Sequence, residues 1–246
     1  MADATIRKLV DLLKPDAASE LRQAAALVLG EVGTREEPLT QALCDALNDP
    51  EPAVRLPVLR TIGRLKIERA LPRLLETVSR GGPEAEVAAE AAASLGTKGT
   101  KALRELMHGA APGLRRRIAA ALGAGGSASA DTAALNALLD TDPGVVDAAA
   151  RTLIAKVPSL DARHRRSLAD YTLDVLKDRK AERRPASEAA LLRLLAALGD
   201  ARGEAVFWAH TEPAVSAELR ATALQALGNL PPPTARPKIQ RLLECA

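Results

Sequence analysis

The stretch LRQAAALVLG at residues 21–30 decides the fold, because versions of it recur along the chain. In each full version an apolar residue and an arginine begin an Ala/Leu-rich run that closes on a glycine eight residues after the arginine. The other versions are VRLPVLRTIG (54–63), LRRRIAAALG (114–123) and LRATALQALG (219–228), with weaker ones at VAAEAAASLG (87–96), VDAAARTLIA (146–155) and LLRLLAALG (191–199). A recurrence of roughly 30 residues is typical of a stacked repeat protein.

A second helical segment precedes each version of this phrase. Apolar residues at spacings of three and four, such as Ile6, Leu9 and Leu13, form one stripe on a helical face. A turn rich in Asp, Pro and Gly follows, as in NDPEP at 48–52, and leads into the helix that carries the phrase. Proline suits the first turn of this second helix, and glycine at its close lets the next unit approach and the chain turn back.

The pattern predicts seven helix pairs in an all-α fold. Two helices cannot bury their apolar stripes alone, so each pair must pack on its neighbours in an α-solenoid of about seven antiparallel pairs. Hydrophobic residues are 47% of the chain and aromatic residues 1%, which indicates a core of Ala, Leu and Val without strands. The first helices are expected at 4–13, 37–48, 69–79, 100–108, 131–140, 160–178 and 203–210. The second helices are expected at 17–32, 52–65, 84–96, 113–123, 144–156, 186–199 and 215–229.

The spacing and the phrase resemble HEAT repeats, especially the short bacterial type found in phycobilisome lyase proteins. Asp49 and Arg55, six residues apart, match the Asp/Arg pair of that family, and Asp16 with Arg22 repeats it. The resemblance implies a right-handed superhelix in which such pairs form a hydrogen-bonded ladder between successive repeats. The arginines of the later phrases have no aspartate six residues before them, so the ladder is expected to break in the C-terminal half.

The repeats run through nearly the whole chain, so residues 1–246 are expected to form one elongated body. The glycine- and serine-rich stretch GAGGSASAD at 123–131 is the expected hinge. An unpaired half-repeat at 234–246 should close the chain with one more helix, near 234–244. Its apolar stripe has no further second helix to cover it, so we expect that this end self-associates or that the native protein continues. The stripe consists of Ile239, Leu242 and Leu243.

Residue types that support catalysis do not cluster in the sequence. The three histidines, His108, His164 and His210, lie in different units, and no Cys-x-x-Cys, His-Glu-x-x-His or His-Glu dipeptide occurs. The glycines end helices and do not follow strands, which argues against a nucleotide-binding loop. Cys44 lies within an apolar-periodic helix, where a small packing residue is the simpler interpretation. The sequence therefore predicts no catalytic residues, no metal and no cofactor.

Cysteine usage and the N-terminus favour a cytoplasmic protein without a membrane partner. Cys44 and Cys245 sit in different units, which argues against a disulfide framework. The opening MADATIRKLVDLLK is an amphipathic helix with interspersed charges. It has neither the continuous apolar stretch of a secretory signal nor that of a membrane span.

The net charge of +3 is unevenly distributed along the chain. Residues 101–184 carry 15 basic and 10 acidic side chains, a surplus of five positive charges. Two basic groups precede second helices, so they are expected on the same edge of the solenoid, where an anionic partner would bridge them. A third group, Arg163, Arg165 and Arg166, should face the opposite edge. Nucleic acid is disfavoured because Tyr171, Phe207 and Trp208 are the only aromatic residues available for stacking. The two groups that share an edge are Arg115, Arg116 and Arg117, and Arg183 and Arg184.

The leading functional hypothesis is a non-enzymatic scaffold that binds a protein or an extended peptide on a concave face lined by the second helices. The family resemblance leaves one alternative open, a lyase-like role in attachment or removal of a bilin, for which no residue can be assigned. Binding of an anionic partner through the basic edge is a third possibility.

Overall fold

The structure is a computed structural model that describes residues 2–32, 36–178 and 184–230. Within these ranges the chain forms fourteen α-helices and three short 3-10 turns, with no strand. The all-α fold predicted from the repeats is therefore confirmed. None of these fourteen helices combines the length and the apolar character that crossing a membrane requires.

The helices form seven successive pairs, as predicted, and each pair has a first and a second helix. The first helices are α1 (Ala2–Asp11), α3 (Glu37–Ala46), α5 (Leu71–Arg80), α7 (Thr97–Met107), α9 (Ala128–Ala137), α11 (Ala162–Lys177) and α13 (Glu204–Ala209). The second helices are α2 (Ser19–Val32), α4 (Pro52–Leu65), α6 (Ala85–Ser94), α8 (Pro112–Ala124), α10 (Pro143–Lys156), α12 (Pro185–Leu198) and α14 (Ala217–Gly228).

The helix boundaries differ from the predicted ones by a few residues, and local backbone geometry accounts for the two largest shifts at helix starts. α9 begins at Ala128, three residues early, because the Ser127 hydroxyl accepts a hydrogen bond from the Ala130 N–H at 3.2 Å and caps the helix. α7 begins at Thr97, also three residues early, directly after Gly96, whose φ of +73° separates it from the preceding helix.

The chain divides into two compact units, Met1–Ala133 and Ala134–Ala246. In the first unit the second helices α2, α4, α6 and α8 pack on one another in chain order. In the second unit α10, α12 and α14 do the same. Packing of each repeat on its nearest neighbours is the arrangement of an α-solenoid.

Two expectations about the ends and joints of the stack are not tested by this structure. A single body over residues 1–246 with a hinge at 123–131 stays a prediction. The helix expected at 234–244 falls within residues 231–246, which lie outside the described residues. The same holds for its apolar stripe and for the half-repeat at 234–246.

Alanine and leucine build the core of each unit. Leu29, Ile62 and Leu122 are fully buried on second helices of the first unit, and Leu153 is fully buried in the second unit. Burial of such a side chain stabilises the fold by about 1.5–3 kcal/mol. Phe207 is also completely buried and anchors the six-residue helix α13.

Glycine has two different roles near the ends of the second helices, where the sequence suggested only one. Gly30 and Gly63 lie inside α2 and α4, at points where the next helix approaches closely. A Cβ at Gly30 would lie 2.8 Å from Thr61 Oγ1, and a Cβ at Gly63 would lie 2.9 Å from Ala91 Cα. Gly199 instead follows α12 with a φ of +67° and turns the chain back.

Hydroxyl groups join the second helices at the same places. Thr61 Oγ1 on α4 donates a hydrogen bond to the Ala26 carbonyl of α2 at 2.7 Å. Ser94 Oγ on α6 donates one to the Gly63 carbonyl of α4 at 2.8 Å. These bonds require the close backbone approach that the glycines permit.

We predict that Gly63→Ala lowers the free energy of unfolding by about 1–3 kcal/mol, because the new methyl group would overlap the backbone of α6. Urea denaturation followed by circular dichroism measures the change. The matched control is Gly113→Ala, since a Cβ there meets nothing within 4 Å. The control should unfold at or slightly above the wild-type urea concentration, because alanine favours helix over glycine. A wild-type midpoint for Gly63→Ala would show that α4 and α6 are not in close contact.

Candidate interaction surface

The second helices of the first unit present one continuous outward surface, which we call the second-helix surface. Its members are exposed to solvent, and most of them are small or charged. Their helices lie side by side through the glycine and hydroxyl contacts described above. The exposed residues are Gln23, Ala24 and Leu27 on α2, Arg60 and Arg64 on α4, Glu86 and Glu90 on α6, and Gly113 and Arg116 on α8.

One ion pair crosses this surface between neighbouring second helices. Both guanidinium nitrogens of Arg64 on α4 donate to the Glu31 carboxylate on α2, Nη2 to Oε2 at 2.7 Å. These hydrogen bonds lower the pKa of Glu31 below its ordinary value. The two side chains are 55% and 68% exposed, so water screens the pair and it contributes little to stability.

The second helices of the second unit carry a similar mixture of charge and small side chains. Asp147 on α10 contacts Arg151 at 3.0 Å and, across to α12, Arg193 at 3.9 Å. Ala155 and Ala197 are exposed beside these charges. Each unit therefore offers a polar, low-relief surface on its second helices.

Arg22 and Asp49 form a buried ion pair between the first two repeats. Arg22 Nε donates to Asp49 Oδ2 at 2.7 Å and Arg22 Nη2 donates to Oδ1 at 3.0 Å. Arg22 Nη1 also donates to the Ala17 carbonyl at 2.5 Å. The side chains are only 7% and 3% exposed, so each charge depends on these partners.

The surroundings of Asp49 act on its pKa in opposite directions. Burial alone would raise the pKa, but hydrogen bonds from Arg22 and from the Glu51 N–H, at 2.9 Å to Oδ1, outweigh burial. The net pKa of Asp49 lies below its ordinary value of 3.8. Asp49 is therefore ionised throughout the neutral range.

Arg55 makes the next contact of this kind, with an acid that the sequence analysis missed. Arg55 Nη2 donates to Glu84 Oε1 at 2.5 Å and Nε donates to both carboxylate oxygens at 3.0 Å. The Asp49 carboxylate binds the arginine of the preceding repeat, and only its main-chain carbonyl accepts from Arg55, at 2.5 Å. Arg22 and Arg55 thus each bind an acid of the following repeat, and Asp16 lies exposed before Arg22.

Glu84 was missed for two reasons. Its own repeat lacks the arginine of the phrase, and the family pattern pairs the arginine with an aspartate and not with a glutamate. The signal that would have found it is an acid in the turn that precedes the next second helix. Asp49 and Glu84 both lie in such turns, before α4 and α6. The position of a carboxylate in the turn before the next second helix therefore predicts the acid that binds each of these arginines better than the six-residue spacing of aspartate and arginine does.

Of the three basic residues predicted for the first unit, two form hydrogen bonds within the fold and one is exposed to solvent. Arg115 Nη1 donates to the Ala110 carbonyl at 2.8 Å. Arg117 Nη1 donates to the Val78 carbonyl near the end of α5 at 3.4 Å, where a cation is favoured by the helix dipole. Arg116 is exposed and belongs to the second-helix surface.

The basic residues of the second unit lie at opposite ends of α12. Arg184 is exposed at the N-cap of α12, whereas Arg183 lies outside the described residues. Arg165 and Arg166 line a cavity of about 390 Å³ with Arg202, beside the C-terminal end of α12. Arg163 is exposed on the same helix as Arg165.

Another cavity, of about 400 Å³, lies between α1 and α3 in the first unit. Its walls are mostly apolar, with polar side chains such as Gln41 and Asp45 at the margin. Gln41 Nε2 donates to Asp45 Oδ1 at 2.8 Å, so this polar margin is internally bonded. The apolar wall residues are Val10, Leu13, Pro15, Pro38, Ala42, Ala46 and Pro50.

Cys44 and His210 are held by burial and by hydrogen bonds within the fold. Burial raises the pKa of the Cys44 thiol, which keeps it protonated and unreactive at neutral pH. His210 contacts the Val206 carbonyl through Nδ1 at 2.7 Å and Glu188 through Nε2 at 3.1 Å. No group of three or more His, Cys, Asp or Glu side chains suited to a metal ion occurs among the described residues.

We predict that Asp49→Asn lowers the melting temperature by several degrees at pH 7, because it leaves the Arg22 guanidinium buried without its counter-charge. The folded-state pKa of Asp49 is depressed, so its stabilisation is fully present above pH 3.8 and is lost as pH falls through the lower folded value. The difference in melting temperature between wild type and Asp49→Asn should therefore shrink below pH 3.8. Thermal unfolding from pH 7 down to pH 2 measures it.

The control for this experiment is Glu76→Gln, which removes the exposed pair with Arg80. It should leave the melting temperature nearly unchanged, because both side chains are more than half exposed. Equal effects of the two substitutions, or a difference for Asp49→Asn that does not depend on pH, would contradict the buried ion pair.

Comparison with known proteins gives one family match, over residues 6–96, to HEAT repeats. No curated protein matches this chain. Human deoxyhypusine hydroxylase in complex with glycerol is similar in structure, with 16% identity, 93% of this chain and 96% of that chain covered, and a TM-score of 0.37. Two engineered proteins are similar at 19% and 20% identity, over 92% and 91% of this chain and 96% and 67% of theirs, with TM-scores of 0.35 and 0.37. The expected resemblance to HEAT repeats is thus confirmed over residues 6–96.

Proposed function

We propose that this chain is a non-enzymatic scaffold that binds a protein or an extended peptide on its second-helix surface. HEAT repeats generally act as protein-interaction scaffolds. The repeats over residues 6–96 include α2, α4 and α6, which contribute three of the four helices of that surface in the first unit. The proposal assigns the binding role to the face opposite the first helices.

The observation that carries this proposal is the set of charges on the second-helix surface that remain without ion partners. Arg60, Glu86, Glu90 and Arg116 are exposed and form no ion pair within the described residues. Charges near the first helices are instead tied together, as Glu37 of α3 is to Arg69 and Lys98 of α7 is to Glu68, where Arg69 and Glu68 lie in the 3-10 turn before α5. Arginine is enriched where proteins bind one another, and the small residues between these charges leave room for a partner's side chains.

The other hypotheses from the sequence remain predictions. No described residue supports the lyase-like role with a bilin. Two of the three arginines expected on a basic edge of the first unit are bonded to main-chain carbonyls, which leaves Arg116 as its exposed member. A cytoplasmic location and the absence of a cofactor also stay predictions.

Site-specific photo-crosslinking tests the proposed surface. A benzophenone side chain would replace Leu27, Arg60 or Glu90 on the second helices, and Glu76 or Arg104 on the first helices as controls. All five positions are exposed, so each substitution should leave the fold intact. We expect the second-helix positions to crosslink one common protein and the control positions to give much weaker products.

Charge reversal measures the strength of this interface once the crosslinked protein is purified. Arg60→Glu with Arg116→Glu should weaken its binding by about tenfold or more, because the reversed charges repel the groups that wild type attracts. The matched control is Lys101→Glu with Arg104→Glu on α7, which should bind as wild type does. Stronger crosslinking or a larger loss of affinity at the first-helix positions would place the binding face elsewhere and refute the proposal.

A further inference from the structure

The helix α2 exposes an apolar stripe on the side that faces away from α4. Leu21, Val28 and Val32 are 49%, 45% and 43% exposed, and Ala24 lies between them and is also exposed. Their spacings of three, four and four place them on one face of the helix. We call this stripe the receiving face, because of the role that the same positions have in other repeats.

In α4 and α14 the corresponding positions are buried against the preceding second helix. Counting 33 residues from Leu21, Val28 and Val32 gives Val54, Thr61 and Leu65 on α4, with exposures of 0%, 4% and 3% where α4 packs on α2. Counting 198 residues gives Leu219, Ala226 and Leu230, buried where α14 packs on α12. The receiving face of α2 therefore has the pattern that accepts a preceding second helix.

The helix α14 exposes the opposite face, which we call the leading face. On α2 this face consists of Arg22, Ala26 and Gly30, all buried where α4 packs. The same positions on α14 are Arg220, Leu224 and Gly228. Leu224 is 46% exposed, and a Cβ at Gly228 would meet nothing within 4 Å.

The arginine–acid series has an unpaired member on each of these two faces. Arg22 binds Asp49 of the following repeat and Arg55 binds Glu84 of the one after it. Asp16 precedes Arg22 by six residues, is exposed, and is paired with no arginine within the described residues, although Lys14 lies near it. Arg220 occupies the position of Arg22 on α14 and forms no ion pair with an acid of residues 2–32, 36–178 or 184–230.

We propose that a second copy of this chain docks head to tail, with the leading face of α14 in one copy against the receiving face of α2 in the next. Arg220 of the first copy pairs with Asp16 of the second, as Arg22 pairs with Asp49 within the chain. Leu224 packs among Leu21, Ala24 and Val28 of the second copy. The inference concerns the ends of the stack and does not depend on the scaffold function proposed above.

Such an interface is heterologous, because it joins two different surfaces. Each added copy presents a new open face, so association continues beyond a dimer into chains or closed rings. The apolar stripe supplies the favourable burial, and the charge pair fixes which ends meet. This behaviour distinguishes the proposal from a symmetric dimer, which would stop at two copies.

Sedimentation velocity across a concentration series tests the proposal with the full 246-residue protein. We expect the average mass to rise with concentration above twice the 25.8 kDa of one chain. Asp16→Arg alone and Arg220→Glu alone should each weaken association by about tenfold or more, because each leaves like charges opposed. The controls Asp174→Arg and Arg163→Glu, at exposed positions on α11, should associate as wild type does.

Mixing the two variants gives the sharpest result. In an equimolar mixture the intact leading face of the Asp16→Arg protein meets the intact receiving face of the Arg220→Glu protein, and the two altered faces meet with their charges exchanged, so the mixture should regain the association that neither variant shows alone. Val28→Lys, which breaks the receiving face without touching the charge pair, should weaken association as Asp16→Arg does, but its mixture with Arg220→Glu should stop at 1:1 heterodimers because only one junction can form. Circular dichroism confirms that each variant is folded before it is compared.

Three results would overturn the inference. The first is a wild-type protein that stays monomeric at every concentration. The second is association that persists unchanged in Asp16→Arg and Arg220→Glu. The third is association that is lost only in Leu242→Glu with Leu243→Glu, which would assign the contact to the segment that follows α14.

Discussion

The contact between neighbouring second helices is the constraint on which the rest of this structure depends. In a stack of repeats no residue contacts a distant part of the chain, so the fold persists only if every helix fits the next one closely. Gly30 and Gly63 remove the side chains that would hold these helices apart, and Thr61 and Ser94 use the short distance to reach main-chain carbonyls. A core nearly free of aromatic residues suits this arrangement, because alanine and leucine fill narrow layers without forcing the helices apart.

The buried arginine–acid pairs act at the opposite end of the same helices. Arg22 lies near the start of α2 and Gly30 near its end, so each of these second helices is fixed to its neighbour at two points. The apolar contacts between smooth alanine-rich helices would tolerate a sliding of one helix along another. A bidentate ion pair does not tolerate such sliding, because a shift of one turn would leave a charge buried without a partner. The pairs therefore define the register of the stack, and the apolar burial supplies most of its stability.

The same nearest-neighbour principle explains which surfaces are available for binding. Residues that face the adjacent repeat are committed to the fold, as are the arginines that bind main-chain carbonyls at Ala110 and Val78. Among the described residues, the surfaces that remain include the outward sides of the helices and the receiving and leading faces of α2 and α14. The outward side is polar with small side chains between the charges, which suits a partner that is itself soluble. The receiving face of α2 is apolar, the leading face of α14 carries Arg220 and Leu224, and both retain the pattern by which one repeat accepts another.

The sequence by itself determined the helical class, the seven pairs and their order, because a phrase that recurs every 30 residues or so leaves few other ways to bury its apolar residues. It also located the ladder residues Arg22 and Asp49 through the family pattern. Helix starts were less well determined, since a single capping hydroxyl at Ser127 moved α9 by three residues. Only the tertiary structure showed that Asp49 binds the arginine of the preceding repeat, that Glu84 takes the next position, and that Arg117 is bonded to the fold. It alone separated the glycines that admit a neighbouring helix from those that turn the chain. The physical reason is that spacing along one helix specifies which residues share a face, whereas the identity of the group opposite each face depends on how the next helix packs.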